Sequence, residues 1–269
     1  MNLQPQRGHA RCAFSLIELL VVISIVALLI AVLLPVLGSA RGVARAAVCL
    51  SNQRQTTTAL IAYTNDFDGS FAPNQQDHTD PAGALWWFGF EPGGPRSATT
   101  PDRPLDKTQS PLAPYFGGDI LDGLRCADFP ADDRRFFAKF AEPSAHFGYN
   151  ESLAPLKYKG LPPKRISMVR QPSAVFAFAD AVHLDGLKQI DGQSAFYEPH
   201  YLQHNKNPAW PTGFGHFRHQ GNAQVAMLDG HVTPRQQTEP TFVTLAGSPA
   251  ANLDPTWGED SIYGFDTGF

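Results

Sequence analysis

The chain begins with a long hydrophobic run. Residues 14–37 consist almost entirely of Leu, Ile, Val and Ala, and the polar side chains before Pro35 are Ser15, Glu18 and Ser24. A helix over residues 14–34 rises roughly 30 Å at about 1.5 Å per residue, which is enough to cross the hydrocarbon core of a bilayer. The pattern therefore predicts a membrane-spanning helix at residues 14–37.

An amphipathic stretch, residues 38–66, follows the hydrophobic run. Its apolar side chains recur at roughly helical spacing, which predicts that the same helix continues to about Asn65. Proline in a helix interior removes a hydrogen bond and clashes with the preceding turn, so we expect a kink near Pro35. Asp-Phe-Asp-Gly at residues 66–69 is a turn signal that ends the helix.

The remaining residues, 67–269, have the composition of a β-rich globular domain. The chain contains 23 glycines, 23 prolines and 19 phenylalanines. Glycine and proline interrupt helices, and aromatic side chains favour strands. The sequence therefore predicts an α+β fold, in which a long N-terminal hydrophobic helix packs on a C-terminal antiparallel β-sheet domain with long loops.

Three segments of the globular domain have a predicted state. Residues 71–107 are expected to form a loop, whose aromatic cluster at residues 86–88 supplies core or lid side chains or, alternatively, a platform for a ligand. Residues 175–180 form a short apolar run with β character. The polar residues 183–211 are expected to be an insertion loop.

A strand and a hairpin turn are predicted near the C-terminus. Residues 223–228 alternate in polarity, and Asp229-Gly230 predicts a type I′ hairpin turn because both residues accept positive φ. The side chains expected to face the core are Ala223, Val225 and Met227, with Gln224 facing outward.

Glu18 is the informative residue of the hydrophobic run. A carboxylate inside a membrane segment costs about 3 kcal/mol on insertion scales, so Glu18 predicts a partner that compensates its charge. Two other interpretations of the run stay open. It is either a simple secretion signal with Ala-Arg-Ala at residues 44–46 as its cleavage site, or a plain membrane anchor.

The N-terminal residues resemble the cleavage and methylation signature of type IV pilins and type II secretion pseudopilins. Residues 13–19 read Ala-Phe-Ser-Leu-Ile-Glu-Leu after a basic leader, residues 1–13. The resemblance implies that prepilin peptidase cuts between Ala13 and Phe14 and methylates the new amine of Phe14. It also implies that Glu18 pairs with the N-terminal amine of a neighbouring subunit. Ala13 departs from the family's usual glycine.

The rest of the chain resembles large prepilin-like proteins of the planctomycete type, which carry an H-X9-DG motif. Here the motif consists of His219, Asp229 and Gly230. Three further blocks are similar to those of the same family, and they lie at residues 49–52, 63–69 and 124–128.

The cysteines and histidines leave alternatives open. Removal of the leader, which contains Cys12, leaves Cys49 and Cys126, which either form a disulfide in an oxidising compartment or stay as two buried thiols. His219 either hydrogen-bonds the Asp229 turn or joins Asp229 and His231 in a metal site. We expect the structural role, with no metal and no cofactor.

Composition and motifs exclude several classes of function. The formal net charge of −4 argues against a nucleic-acid-binding protein, and the chain has no G-x-S-x-G, P-loop, H-E-x-x-H or C-x-x-C motif of an enzyme. The leading hypothesis is a filament subunit of a type IV pilus or a type II secretion pseudopilus. A membrane-anchored extracytoplasmic binding module and a secreted enzyme using the histidine-rich face are the alternatives.

The leading hypothesis also predicts partners and a location. The partners are prepilin peptidase, other pilin or pseudopilin subunits, an inner-membrane assembly platform and membrane lipid, with no nucleic acid. The chain is expected to cross the inner membrane once, with its globular domain in the periplasm or, after assembly, outside the cell.

Overall fold

A computed structural model of the chain describes most of the sequence. The described residues are 15–76, 82–93, 103–116, 120–153, 164–190, 192–202, 213–237, 243–245 and 248–251. The chain divides into two compact units, Met1–Val43 and Ala44–Phe269.

One long helix, α1, spans Leu16–Asp66 and confirms the predicted N-terminal helix. Pro35 lies inside it. The helix ends at the predicted turn, where Asp68 and Gly69 have positive φ (51° and 77°) and the Gly69 N–H donates to the Thr64 carbonyl at 2.7 Å. The kink at Pro35 stays a prediction.

The two parts of α1 differ in burial. From Leu16 to Leu37, the large apolar side chains are 47–85% exposed. In the second unit, the buried side chains of α1 are Cys49, Gln53, Thr56, Thr57, Ala59, Leu60, Tyr63 and Thr64. Half of these are Gln or Thr, so this helix face needs polar partners as well as apolar ones.

A small antiparallel sheet lies within the segment that was expected to be a loop. Its strands are β1 (Gln75–Gln76), β2 (Gly83–Trp86) and β3 (Gly89–Pro92), in that order. Trp87 and Phe88 are fully buried, which confirms that the aromatic cluster belongs to the core.

The larger sheet has nine strands in the described residues. They are β4 (Phe147–Asn150), β5 (Phe176–Ile190), β6 (Gln193–Tyr197), β7 (Tyr201–Leu202), β8 (Gly213–His216), β9 (Asn222–Met227), β10 (Val232–Gln236), β11 (Val243–Leu245) and β12 (Ser248–Ala251). The main path is β10-β9-β5-β8-β12-β11, while β4 and β6 pair with β5 and β7 pairs with β4. The β4–β7 pair is parallel and the other pairs are antiparallel. Together with α1 this gives the predicted α+β arrangement.

Short helical turns lie in the connections from β3 to β4 and from β4 to β5. They are α2 (Ile120–Gly123) and 3₁₀ turns at Lys107–Gln109, Ala113–Tyr115, Ile166–Met168 and Pro172–Ala174.

Strand β5 corrects the expected insertion loop, residues 183–211, over residues 183–190, whereas residues 203–211 lie outside the described residues. It runs for 15 residues and pairs with four other strands, and its second half forms a hairpin with β6. The loop prediction failed because His183 and Asp185 are polar yet buried in the interior, at 3% and 4% exposure. Polarity signals a loop only when the polar side chain meets water.

Strand β9 is buried on both faces. Gln224, expected to face outward, is 6% exposed, and Gln53 of α1 donates to its carbonyl, so the helix lies on this part of the strand. Val225 and Met227 pack in one hydrophobic cluster, and Ala226 packs in another.

The hairpin after β9 is longer than predicted. The Gly230 N–H donates to the Met227 carbonyl at 2.9 Å, and the Met227 N–H donates to the His231 carbonyl at 2.8 Å. Gly230 has a φ of 89°, but Asp229 has a negative φ, so the prediction of a type I′ turn at this position is wrong. Positive φ at two successive residues occurs instead at Gln220 and Gly221 (54° and 80°).

We predict that Gly230→Val lowers the free energy of unfolding by more than about 1 kcal/mol, because a β-branched residue is strained at positive φ. No atom lies within 4 Å of an added Cβ, so the cost comes from the backbone alone. Gly230→Asn is the matched control, since Asn tolerates this region better and should cost less. Urea unfolding of the full chain in detergent measures both. Equal costs for Val and Asn would contradict the backbone argument.

Candidate functional site

The start of α1 places the Glu18 carboxylate at the helix N-terminus. The Ser15 N–H donates to Glu18 Oε2 at 2.9 Å, and the Glu18 N–H donates to Ser15 Oγ at 3.2 Å. This reciprocal pair is a capping box, which satisfies two of the backbone donors that a helix start leaves open. In the single chain the Glu18 side chain is therefore held against Ser15, the residue that follows Phe14. Ala13 and Phe14 lie outside the described residues.

The first part of α1 presents apolar side chains all around the helix. In the described part of the chain, one helix, α1, has the length and the apolar composition needed to cross a membrane. Its large apolar side chains from Leu16 to Leu37 are exposed, so they need lipid or other helices to cover them.

A second site lies where α1 meets the sheet in the Ala44–Phe269 unit. Cys49 of α1 and Cys126, after α2, form a disulfide with their Cα atoms 5.0 Å apart. Both residues are buried. In the chain-entropy model, a bridge across a loop of this length contributes about 4 kcal/mol to the free energy of unfolding.

His219 belongs to this disulfide centre. Its Nδ1 lies 3.1 Å from Asp128 Oδ2, and its Nε2 lies 3.2 Å from Asp180 Oδ2 and 3.4 Å from Cys126 Sγ. The tight turn at Gln220 positions the ring, because His219 and Asn222 exchange two backbone hydrogen bonds of 3.0 Å across it. His219 thus stands between two carboxylates and beside a sulfur.

This position corrects both sequence-based interpretations of His219. His219 precedes β9 and Asp229 follows it, so the two residues are at opposite ends of the strand. Asp229 instead pairs with His231 at the exposed end of the hairpin, with Oδ1 and Nδ1 2.5 Å apart. The structure therefore contradicts a hydrogen bond from His219 to the Asp229 turn, and it does not gather His219, Asp229 and His231 into a metal site.

Asp180, on β5, is the buried anion of the centre. Arg218 Nη2 donates to Asp180 Oδ1 at 2.6 Å, and the Gln224 N–H donates to Oδ2 at 2.8 Å. Burial by itself raises the pKa of Asp180, but Arg218 and then His219 more than offset it and lower the pKa to about 2. Asp180 is therefore charged at neutral pH.

Helix α1 is tied to the same centre by polar side chains. Gln53 Nε2 donates to Asp180 Oδ1 and to the Gln224 carbonyl, each at 3.1 Å. Asn52 Nδ2 donates to the Arg125 carbonyl at 2.9 Å, and Arg45 forms an ion pair with Asp128.

The centre unites blocks that are far apart in the sequence. The block at residues 49–52, the block at 124–128 and His219 of the H-X9-DG motif all contribute to it. Sequence analysis found these residues but could not bring them together. Asp180 and Gln53 were missed, because an acid after an apolar run and a Gln in a polar helix segment carry no distinctive signal.

Comparison with known proteins gives a match to the N-terminal residues of the chain. Residues 8–34 match the family described as the prokaryotic N-terminal methylation motif. This match supports a type IV pilin-like protein. The motif indicates a structural subunit rather than an enzyme, one processed by prepilin peptidase and interacting with other pilin subunits. No curated protein and no solved structure matches the chain.

The Ala44–Phe269 unit also contains a buried lysine that sequence analysis missed. Lys139 is 6% exposed, and its Nζ lies 5.2 Å and 5.1 Å from the ring centroids of Trp86 and Tyr197. The same Nζ lies 3.3 Å from Nδ1 of His200, which is also buried. Aromatic faces attract a cation, so the rings partly replace the water that Lys139 has lost.

Other buried charges surround Lys139. Glu91 and Arg103 form an ion pair of 2.7 Å with side chains only 3% exposed, and Trp86 Nε1 donates to Glu91 Oε2 at 3.1 Å. The Lys139 backbone N–H lies 3.4 Å from Glu198 Oε2. A signal for this lysine cluster did exist in the sequence, since aromatic residues flank Lys139 and Glu198 on both sides.

Burial brings the pKa values of two of these groups toward neutrality. Burial and then the positive charge of Arg103 lower the pKa of Lys139 from 10.5 to about 7. Burial raises the pKa of Glu198 from 4.5 to about 7. Both groups therefore change charge near neutral pH.

We predict opposite pH dependences of stability from these two residues. Lys139 has a depressed pKa in the folded chain, so its contribution to stability is full above 10.5 and is lost as pH falls to about 7. Glu198 has a raised pKa, so its contribution is full below 4.5 and is lost as pH rises to about 7. Each slope approaches about 1.4 kcal/mol per pH unit.

Two variants separate the slopes. Lys139→Met should remove the rise in the free energy of unfolding between pH 7 and 10.5, and Glu198→Gln should remove the fall between pH 4.5 and 7. Denaturant unfolding at a series of pH values measures this, with the double variant as the control that loses both slopes. An unchanged slope in either single variant would show that the residue keeps its ordinary pKa.

Proposed function

We propose that this chain is a polymerising subunit of a type IV pilus-like or type II secretion pseudopilus filament. The observation that carries the proposal is the methylation motif at residues 8–34, which overlaps an apolar run, residues 14–37, whose one acid is Glu18. Prepilin peptidase would cut between Ala13 and Phe14 and methylate Phe14. Membrane lipid, other subunits and an inner-membrane assembly platform are the partners.

The exposed apolar face of α1 supports assembly. Before assembly, the first part of α1 is a single-pass inner-membrane anchor, and lipid covers its large side chains between Leu16 and Leu37. In a filament, the same side chains pack against the equivalent helices of other subunits.

The capping box at the start of α1 supports the role of Glu18. Its carboxylate accepts a hydrogen bond from Ser15, one residue from the amine that cleavage creates at Phe14. A buried charge is tolerated when it is paired, so exchange of this local hydrogen bond for a neighbour's ammonium group would favour assembly without leaving Glu18 unpaired.

The disulfide supports a location outside the cytoplasm. Disulfides persist in oxidising compartments, so the Cys49–Cys126 bridge is expected in a globular domain that is periplasmic or extracellular.

We predict that the mature chain begins at methylated Phe14. The basic leader and the matched motif place the cleavage before this residue. Intact-mass and N-terminal measurements on protein from the native host test it. A mature terminus near Ala47, or an uncut Met1, would contradict the proposal and favour a secretion signal or a plain anchor.

We predict that Glu18→Ala inserts into the membrane but assembles slowly or not at all. Insertion improves because the charge cost of about 3 kcal/mol is removed. Glu18→Gln is the matched variant, since it keeps an acceptor for the Ser15 N–H and removes only the charge. Sheared filament yield and processing are measured together. Normal assembly of Glu18→Gln, with correct processing, would exclude charge pairing and leave only the capping role.

A further inference from the structure

Three metal-binding atoms come together in the disulfide centre. Cys49 Sγ, Cys126 Sγ and a ring nitrogen of His219 lie within 4.8 Å of one another, and all three residues are buried. Thiolate and imidazole are the ligands of tetrahedral zinc sites.

We propose that, in the reduced chain, Cys49, Cys126 and His219 bind a divalent cation such as Zn²⁺, with Asp180 as the fourth ligand. The reduced chain is either newly synthesised, with both thiols still free, or produced by a dithiol, which takes up the bridge as its own disulfide. When the ion binds, each thiol releases one proton to solvent and becomes a thiolate.

The geometry on the His219 side already fits a tetrahedral site. Bonds of about 2.3 Å to sulfur and about 2.0–2.1 Å to nitrogen and oxygen imply ligand separations of roughly 3.5 Å for S···N and roughly 3.4 Å for N···O. The corresponding distances are 3.4 Å from Nε2 to Cys126 Sγ and 3.2 Å from Nε2 to Asp180 Oδ2. For tetrahedral coordination the two sulfur atoms have to separate to about 3.8 Å.

The surroundings supply the hydrogen bonds that metal ligands require. A histidine that binds a metal through one nitrogen usually donates the other N–H to a carboxylate, and Asp128 is in that position, 3.1 Å from Nδ1. Asp180 is held in turn by Arg218 and by the Gln224 N–H. Two of the four ligands are thus oriented before any ion binds.

Charge also favours a cation at this position. When the Nδ1–H of His219 donates a hydrogen bond to Asp128, the other ring nitrogen, Nε2, is an acceptor. It then faces the charged carboxylate of Asp180 at 3.2 Å. A positive charge between Nε2 and Asp180 relieves the repulsion between the two acceptors. In the reduced chain the metal ion takes this position.

The consequence is that α1 is joined to the sheet in both redox states. In the oxidised chain the disulfide makes the covalent link, and in the reduced chain the ion links Cys49 of α1 to Cys126, His219 and Asp180 in the same place. This inference concerns the globular unit and does not depend on filament assembly.

The test uses the full chain in detergent with Cys12→Ser, so that Cys49 and Cys126 are the remaining thiols. The protein is reduced with a phosphine under anaerobic conditions and titrated with Co²⁺, which reports thiolate ligation and tetrahedral geometry by its absorption bands. We expect one Co²⁺ per reduced chain, displacement by Zn²⁺, and no binding by the oxidised chain.

Variants locate the site. Cys126→Ser and His219→Ala should abolish stoichiometric Co²⁺ binding, and Asp128→Asn should weaken it by about 10- to 100-fold, because Asp128 orients the His219 ring. His231→Ala is the matched control, since this exposed histidine pairs with Asp229 away from the centre, and it should bind like the parent chain.

Two outcomes would overturn the proposal. The first is stoichiometric binding that His219→Ala leaves unchanged, which would place the ion elsewhere. The second is failure of the reduced chain to bind. Circular dichroism is recorded in parallel. If reduction unfolds the globular unit, Co²⁺ must restore its fold. A reduced chain that stays unfolded with the ion present counts as a failure to bind.

Discussion

The attachment of α1 to the sheet depends on one buried carboxylate, that of Asp180. An isolated charge at this depth would cost several kcal/mol, and Asp180 is tolerated because Arg218, His219 and Gln53 each contact an oxygen of its carboxylate. Gln53 comes from the helix and Arg218 and His219 precede β9, so the full set of contacts to Asp180 forms when the helix and the sheet are together. The interaction therefore couples burial of the helix face to completion of the sheet.

This polar centre also specifies the position of the helix. The buried face of α1 carries Gln53 and Thr56, whose side chains donate to groups outside the helix: Gln53 Nε2 donates to Asp180 and to the Gln224 carbonyl, and Thr56 Oγ1 donates to the Gly123 carbonyl at 3.1 Å. An apolar face slides along an apolar surface at little cost, but a shift of one turn here would leave buried donors and acceptors unsatisfied. The Cys49–Cys126 bridge fixes the same position covalently.

Features that rest on local pattern could be predicted from the sequence. The long helix and its end at Asp66 follow from hydrophobic spacing and a turn signal, and the α+β arrangement follows from composition. The role of His219 could not be predicted, because its partners Asp128 and Asp180 lie 91 and 39 residues away. The turn at Asp229 was assigned the wrong geometry for a related reason: dipeptide preference does not specify how many residues the neighbouring strands leave for the connection.

The two buried ionic clusters of the globular unit respond differently to pH. Asp180 is held by direct pairing, and its pKa of about 2 keeps it charged at neutral and mildly acidic pH. Lys139 lies against aromatic rings, and both Lys139 and Glu198 are buried. Their pKa values of about 7 make their charges sensitive to small changes of pH around neutrality. Gln53 of α1 contacts the Asp180 carboxylate, whereas titration near pH 7 changes the charges of Lys139 and Glu198. The carboxylate that holds the helix therefore keeps its charge across neutrality, while the cluster around Lys139 does not.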